Sequence, residues 1–195
     1  MRRKQCEITD KEEIKQILER VRVGRLATLG ADGYPYITPV NYVFHRDSIY
    51  FHCAHMGEKI DNIKRCDKVC FEVDIPLSYL GADYDRSRPS CQVHQFYHCV
   101  IIRGRAIFVE DLEEKTNSLN ALVRVHEEGG AFTAITAETK EVGLCTVIAV
   151  RIDSISAKSD LAQKKDSSEK TRIAKYLHTR NLPGDREAAR YIGEK

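Results

Sequence analysis

Residues 55–59 read His-Met-Gly-Glu-Lys, between the end of an apolar strand and the start of a basic helix. Backbone N–H groups point outward at a helix start. A lysine beside them adds a full positive charge, and the two together can hold a phosphate. An anionic cofactor tail is the ligand such a turn would take. Taken alone, Gly57 and Lys59 decide little, because a solvated lysine on a short amphipathic helix is the commoner meaning of such a pair. His55 offers a second chemistry. An imidazole titrates near neutral pH and can donate a proton to a reduced substrate, but a loop histidine in solvent would read the same way. Two further sets invite zinc: His52, His55, Cys66 and Cys70, and Cys91, His94, His98 and Cys99. His98 and Cys99 fall on one predicted strand, where neighbours point to opposite faces. Neither set contains a Cys-x-x-Cys pair, so the sequence assigns no metal site.

These residues need elements to position them. Thr9 with Glu12 reads as a capping box opening a helix. Ile14, Ile17, Leu18 and Val21 follow at helical spacing, and Gly24 ends the helix. Strands are expected at 25–29, 36–44 and 48–53, with a turn at 30–33 and another at His45-Arg46-Asp47. A helix over 58–65 places Ile60 and Ile63 on one face. A fourth strand runs 68–75, and a long loop with Pro76, Gly81 and Pro89 fills 76–91. A fifth strand at 94–109 carries Gly104, where a bulge or close approach is expected. Asp111 opens a helix whose apolar line is Leu112, Leu119, Leu122 and Val123, closed by Gly129-Gly130. A last strand covers 144–155. Residues 158–195 turn highly charged, which reads as one or two exposed helices around Pro183-Gly184. Six strands at hairpin-like spacing with three helices argue for a barrel carrying helices. No helix separates strands one to three, which excludes a doubly wound parallel sheet. No G-x-G-x-x-G follows a strand, which removes a Rossmann cofactor site.

Composition sets the remaining bounds. With 195 residues, 31% charged and 42% hydrophobic, the chain can bury one core, with or without an appendage. A net charge of +2 makes no general case for nucleic acid or membrane binding. No run approaches a membrane-spanning length. The first ten residues lack an apolar signal core, so a cytoplasmic location is expected. Seven cysteines are an odd number without the spacings of a secreted staple framework, and read as free thiols in a reducing compartment. Cys70 reads as a small hydrophobe in its strand.

The order of these motifs resembles the FMN-binding split-barrel superfamily, which includes the pyridoxamine 5'-phosphate oxidases, and within it the nitroimidazole-resistance (Nim) branch. The resemblance rests on Gly24-Arg25-Leu26-Ala27, on Asp32-Gly33-Tyr34-Pro35-Tyr36 with Pro39, and on Ile49-Tyr50-Phe51-His52. It continues through Gly57-x-Lys59, Val69-Cys70-Phe71, and Tyr97-His98-Cys99-Val100-Ile101-Ile102-Arg103-Gly104, covering about Glu7 to Lys158. It implies a mainly β fold with α, a six-stranded split β-barrel with peripheral helices. Residues 1–158 would form the flavin-binding domain. Residues 159–195 would be a charged helical extension of that domain or of a dimer. It also implies a homodimer with FMN in clefts between subunits, FAD or haem being the alternatives. Gly57 and Lys59 would then take the phosphate, with His52 and Cys53 beside the flavin and His55 near the substrate. Thr38, Pro39, Val40 and Asn41 would face the ring edge, where backbone groups give N5, O4, N3 and O2 fixed partners. Cys99 matches a position that often carries serine or glutamine, and a thiol is the weaker hydrogen-bonding group. The oxidases usually read Ser-Arg-Lys where this chain has Gly57-Glu58-Lys59. One cation is therefore missing, to be supplied by Arg25, Arg65 or a second subunit. The implied reaction is two-electron reduction of a small organic acceptor, a nitroimidazole or other nitroaromatic, from a nicotinamide or another reductant. The alternative is a non-catalytic flavin- or haem-binding protein on the same fold.

Overall fold

Alternating and helical hydrophobic patterns settle into fourteen strands and α-helices among the described residues, which are 3–127 and 130–194 of a computed structural model. In chain order they are β1 (Glu7–Ile8), α1 (Lys11–Arg20), β2 (Val23–Leu29), β3 (Pro35–Asn41), β4 (Val43–His45), β5 (Ser48–Cys53), α2 (Glu58–Arg65), β6 (Lys68–Leu80), β7 (His94–Phe108), α3 (Leu112–His126), α4 (Lys140–Gly143), β8 (Thr146–Asp160), α5 (Ser167–Arg180) and α6 (Asp185–Glu194). The strands bond in the order β3-β2-β6-β7-β8-β5-β4, with β1 on β8. Every pairing with a defined register is antiparallel. The architecture is mainly β with α, as expected, but with eight strands in place of six. The chain divides into two compact units. One is Met1–Ile17, Asp74–Val100 and Ser156–Lys195; the other is Leu18–Val73 and Ile101–Ile155.

The second unit carries the residues singled out above. Its β5 and α2 have the expected bounds. The strand expected over 36–44 is interrupted at Tyr42. That ring is buried, meets Phe71 edge-on at 4.8 Å between centroids, and donates its hydroxyl to the Leu18 carbonyl at 2.6 Å. These demands take residue 42 out of the ladder and split the strand into β3 and β4. Gly24 does not end a helix. It lies inside β2, where a Cβ would stand 2.0 Å from the Phe71 ring. Gly104 likewise allows a close approach, since a Cβ there would meet the Arg151 carbonyl oxygen at 2.1 Å. The expected line on α3 is half right. Leu119 and Leu122 are buried with Ser118 and Ala121, whereas Leu112 is exposed. The helix ends at His126, where the Glu127 N–H bonds the Val123 carbonyl, ahead of Gly130. Gly129 lies outside the described residues, as do Met1, Arg2, Glu128 and Lys195. β8 is buried on both faces over Val147, Ile148, Ala149 and Val150. One face, Val147 and Ala149, joins Leu119 and Leu122 of α3 in a cluster with Val43 and Tyr50.

In the first unit, α1 starts one residue later than a Thr9 cap would place it. Asp10 is the cap, its Oδ1 accepting from the Glu12 N–H at 2.9 Å. β6 continues through Pro76 to Leu80. Its register with β2 covers residues 70–72, so Pro76 falls beyond that paired stretch and its missing N–H breaks no bond there. The charged tail forms two helices around Pro183-Gly184, as expected, but they are not free in solvent. Ile173, Leu177, Ala188 and Ile192 are buried. A buried carboxylate holds the joint between them. Asp185 accepts from Arg180 Nε and Nη2 at 2.8 and 2.7 Å, from Ser78 Oγ at 2.6 Å and from the Leu182 N–H at 2.9 Å. Arg180 Nη2 also reaches the Tyr79 carbonyl at 2.9 Å. The helix pair is thereby tied to β6. Among the described residues no helix is long and apolar enough to cross a membrane.

The Arg180 guanidinium pulls the Asp185 carboxyl down to about 2, against the opposing effect of burial. A carboxyl depressed from a reference near 3.9 contributes stability above that value and loses it as pH falls toward the folded-state pKa. Asp185→Asn is expected to cost about 3 kcal/mol at pH 7, since it leaves Arg180 without its partner. Urea denaturation of both proteins from pH 7 to pH 2 checks this. The gap between them should begin to narrow below about pH 4 and be mostly lost near pH 2.

Candidate functional site

Residues 48–65 build the site in one continuous stretch. β5 carries its side chains alternately to two faces, and its register with β8 shows which is which. Phe51 pairs with Ile148 and Cys53 with Thr146, while Tyr50 pairs with Ala149 and His52 with Val147. His52 and Cys53 therefore face opposite ways. Lys59 Nζ lies 5.4 Å from the centroid of the Phe51 ring, and its charge acts on Cys53. Phe51, Cys53 and Lys59 thus come together, and His52, exposed, does not join them. His55 reaches β8, with Nδ1 2.8 Å from Thr146 Oγ1. That leaves Nε2, on an exposed residue, for something else.

α2 starts at Gly57, whose φ of +126° and ψ of 163° suit glycine and deter any residue with a Cβ. No side chain caps the helix. The Gly57 carbonyl accepts from the Ile60 and Asp61 N–H groups at 2.8 and 3.1 Å. By helix geometry the earlier amides, of Gly57, Glu58 and Lys59, are left over at this end. A Cβ added to Gly57 would meet no atom within 4 Å, so the turn is bare on that side. Glu58 and Asp61 put two carboxylates in the same turn as Lys59, so an anion there would depend on the backbone N–H groups as well as on Lys59. Buried Asn62 fixes the helix by donating from Nδ2 to Thr28 Oγ1 of β2 at 3.1 Å.

Thr38, Pro39, Val40 and Asn41 lie on β3, which ends the strand order and comes into contact with β5. An edge strand leaves one row of N–H and C=O groups outside the ladder. Pro39 has no N–H, and successive residues of a strand point their groups to opposite sides, so donors to a ring edge come either from Thr38 and Val40 or from Asn41. Val40 is buried; Pro39 and Asn41 are exposed. Thr38 Oγ1 is buried and has no hydrogen-bond partner among the described residues, a polar atom that a ligand would satisfy. Cys99 lies half-buried on β7 in the other unit.

The two arginines expected as a second cation both have other partners. Arg25 is paired with Glu72 at 2.9 Å, its cross-strand neighbour. Arg65 donates to the Leu29 carbonyl and to Asn62 Oδ1, the latter at 3.1 Å. Burial pushes the Cys53 thiol up, Lys59 opposes this and Cys145 adds to it, so Cys53 is a neutral thiol at neutral pH. All seven cysteines are free. Among the described residues no group of three His, Cys, Asp or Glu could hold a metal ion. Sequence reasoning missed Thr146 and Asn62, whose partners lie 91 and 34 positions away. It also missed an open groove of about 460 Å³ in the same unit, between Leu29, Pro35, Lys68, Cys70 and Arg103. Gly104, which also lines the groove, was the one signal for it. The residues at 38–59 fit a flavin phosphate and ring edge in donor chemistry, with one cation in place of two.

A family model described as pyridoxamine 5'-phosphate oxidase matches residues 10–159. No curated protein shows a significant match. Several solved structures share the fold. A candidate 5-nitroimidazole antibiotic resistance protein from Bacteroides thetaiotaomicron is 24% identical, covering 78% of this chain and 86% of its own, with a TM-score of 0.66. The flavocytochrome Anf3 from Azotobacter vinelandii is 20% identical, covering 82% and 72%, with a TM-score of 0.69. An FAD and heme binding protein from Mycobacterium smegmatis is 19% identical, covering 84% and 77%, with a TM-score of 0.70.

The attachment of α2 can be tested directly. Asn62→Ala removes the donor to the buried Thr28 hydroxyl, which keeps only a long contact to the Tyr36 carbonyl at 3.4 Å, and is expected to cost about 1–3 kcal/mol in urea denaturation. Adding Thr28→Val should recover part of that loss, because removing both partners of a buried bond is close to neutral.

Proposed function

The chain belongs to the pyridoxamine 5'-phosphate oxidase family, and from that premise we propose that it binds FMN and passes two electrons to a small organic acceptor. The observation that carries this reading is the uncapped, side-chain-free turn at Gly57 with Lys59 beside it, at the end of β5 in a fold shared with flavin-binding proteins. Bound flavin supplies the two-electron chemistry; the chain supplies the seat and the surroundings. The Glu58 and Lys59 amides and the Lys59 ammonium would hold the phosphate. The outward row of β3 backbone groups, of Thr38 and Val40 or of Asn41, with Thr38 Oγ1, would orient the ring edge. His55, steadied by Thr146, would present Nε2 to an acceptor and move a proton there. The similarity to a candidate nitroimidazole-resistance protein supports a nitroaromatic acceptor.

A second copy of the chain would complete the site. Arg25 is paired with Glu72 and Arg65 with Leu29 and Asn62, so a second cation at the phosphate would come from the partner copy. A homodimer burying more than about 2,000 Å² supplies it. Sedimentation should give a dimer whenever flavin is bound. A stable monomer at full flavin occupancy would rule this arrangement out.

Two of the similar structures, a flavocytochrome and an FAD and heme binding protein, support a second reading as a flavin- or haem-carrying protein without turnover. Absorbance of the purified protein identifies haem by its Soret band, and acceptor-dependent flavin reoxidation separates turnover from flavin carriage. For FMN, Lys59→Ala should remove about 1.5–3 kcal/mol of binding, which is about 10- to 150-fold in Kd. Unchanged affinity in a fluorescence titration would sink the phosphate assignment. His55→Gln should leave FMN bound and slow acceptor-dependent flavin reoxidation.

A further inference from the structure

The unit made of Met1–Ile17, Asp74–Val100 and Ser156–Lys195 contains a concavity of about 300 Å³. Its apolar wall is Leu80, Phe96 and Ile173, all buried. Its polar lining is strongly basic: Arg3, Arg88, Lys164 and Lys165 against one carboxylate, Asp160. That carboxylate is fully answered, accepting from His94 Nε2 at 3.0 Å and pairing with Arg3 at 3.3 Å and Lys158 at 3.6 Å. Arg88 is answered by Glu169 at 2.7 Å and Asp85 at 3.0 Å. Lys164 and Lys165, both exposed, have no ion pair among the described residues. The concavity therefore holds uncompensated positive charge over an apolar wall.

The turn that carries those lysines is unusually fixed. Ala162 is buried with a φ of +61°, a left-handed conformation that residues with a Cβ avoid. Gln163 enforces it: its Oε1 accepts from the Leu161 N–H at 2.8 Å and its Nε2 donates to the Ser159 carbonyl at 2.6 Å. The Cys6 thiol lies 3.7 Å from the same Oε1, and the Lys165 N–H closes the turn on the Ala162 carbonyl at 2.9 Å. Backbone held in a sparsely populated region by its surroundings points to function. Arg3, Cys6, Ala162–Lys165 and Ile173 lie outside residues 10–159, while Leu80, Arg88, His94 and Phe96 lie inside, so the family match covers only part of this concavity.

We propose that it binds a small organic anion, with a carboxylate or phosphate head against Lys164 and Lys165 and an apolar body over Leu80, Phe96 and Ile173. Its size is at the small end of ligand pockets. The test is calorimetric titration of the full-length, FMN-saturated protein with benzoate and phenyl phosphate, with neutral benzamide for comparison. The expected result is one site per chain for at least one anion, with benzamide much weaker; the better anion identifies the head group. Lys164→Glu with Lys165→Glu should weaken binding at least about tenfold, the scale of one charge-assisted contact, while Lys59→Ala leaves it unchanged. Amide NMR shifts of the unmutated protein give an independent reading and should centre on Ala162 to Lys165. The idea is overturned if neither anion binds, if benzamide binds equally, if the double variant binds as well as the parent, or if Lys59→Ala abolishes binding and the shifts centre on Gly57.

Discussion

The antiparallel pairs from Ser48↔Arg151 to Cys53↔Thr146 join β5 to β8, and the geometry of the candidate site descends from that register. Side chains alternate strictly along a strand, so a slip of one residue would exchange the two faces. Cys53 would then turn away from Lys59, and His55 would lose Thr146. The slip is prevented because both faces are filled. Tyr50, Val147 and Ala149 pack with α3 residues on one side, while Ile49, Phe51, Ile148 and Val150 are buried without solvent contact worth the name. Polar contacts add to this. The Tyr50 hydroxyl donates to Glu114 and accepts from Arg151, both at 2.9 Å, and Arg151 also reaches Ser48 at 3.1 Å. Hydrophobic burial supplies the strength and this group of side chains supplies the choice of register.

The anion seat proposed at the end of β5 would rest on few charges. Lys59 is accompanied by Glu58 and Asp61 in the same turn. Close-range donors there are backbone amides, whose direction is set by the helix. That places the burden on geometry: the positive φ of Gly57, the buried Asn62–Thr28 bond and the Phe51 ring under Lys59 all act to keep the donors aimed. A seat of this kind recognises a phosphate by shape and hydrogen bonding as much as by charge.

The parts of this arrangement that could be read from sequence are those whose causes are local. β5 and α2 have the bounds expected of them because a β-branched and aromatic run ends at a glycine turn and an amphipathic octet follows. Gly57 was legible as the start of α2 for the same reason. The discrepancies all trace to contacts between residues distant in sequence. Tyr42 leaves its strand to meet Leu18 and Phe71. β6 passes Pro76 because the neighbouring ladder with β2 has already ended. Leu112 matches the spacing of the α3 apolar line, yet it stays in solvent. The tail reads as exposed from its charge, whereas Ile173, Leu177 and Ile192 and the Arg180–Asp185 pair give it a buried side. His52 and Cys53 are adjacent in sequence and were read together; the alternation of the strand separates them. Thr146 had no local signal at all.

The contact between Gly24 and Phe71 has a consequence for descent. The ring occupies the volume that any side chain at position 24 would need, 2.0 Å from the Cβ position, and the same ring braces Tyr42. Neither position can drift by itself. A lineage that gained a methyl group at 24 would have to shrink the residue at 71 in the same step or soon after, and would then have to refill the space beside Tyr42. Relatives of this chain should therefore inherit these three positions as a block, with glycine and the two rings retained or exchanged together.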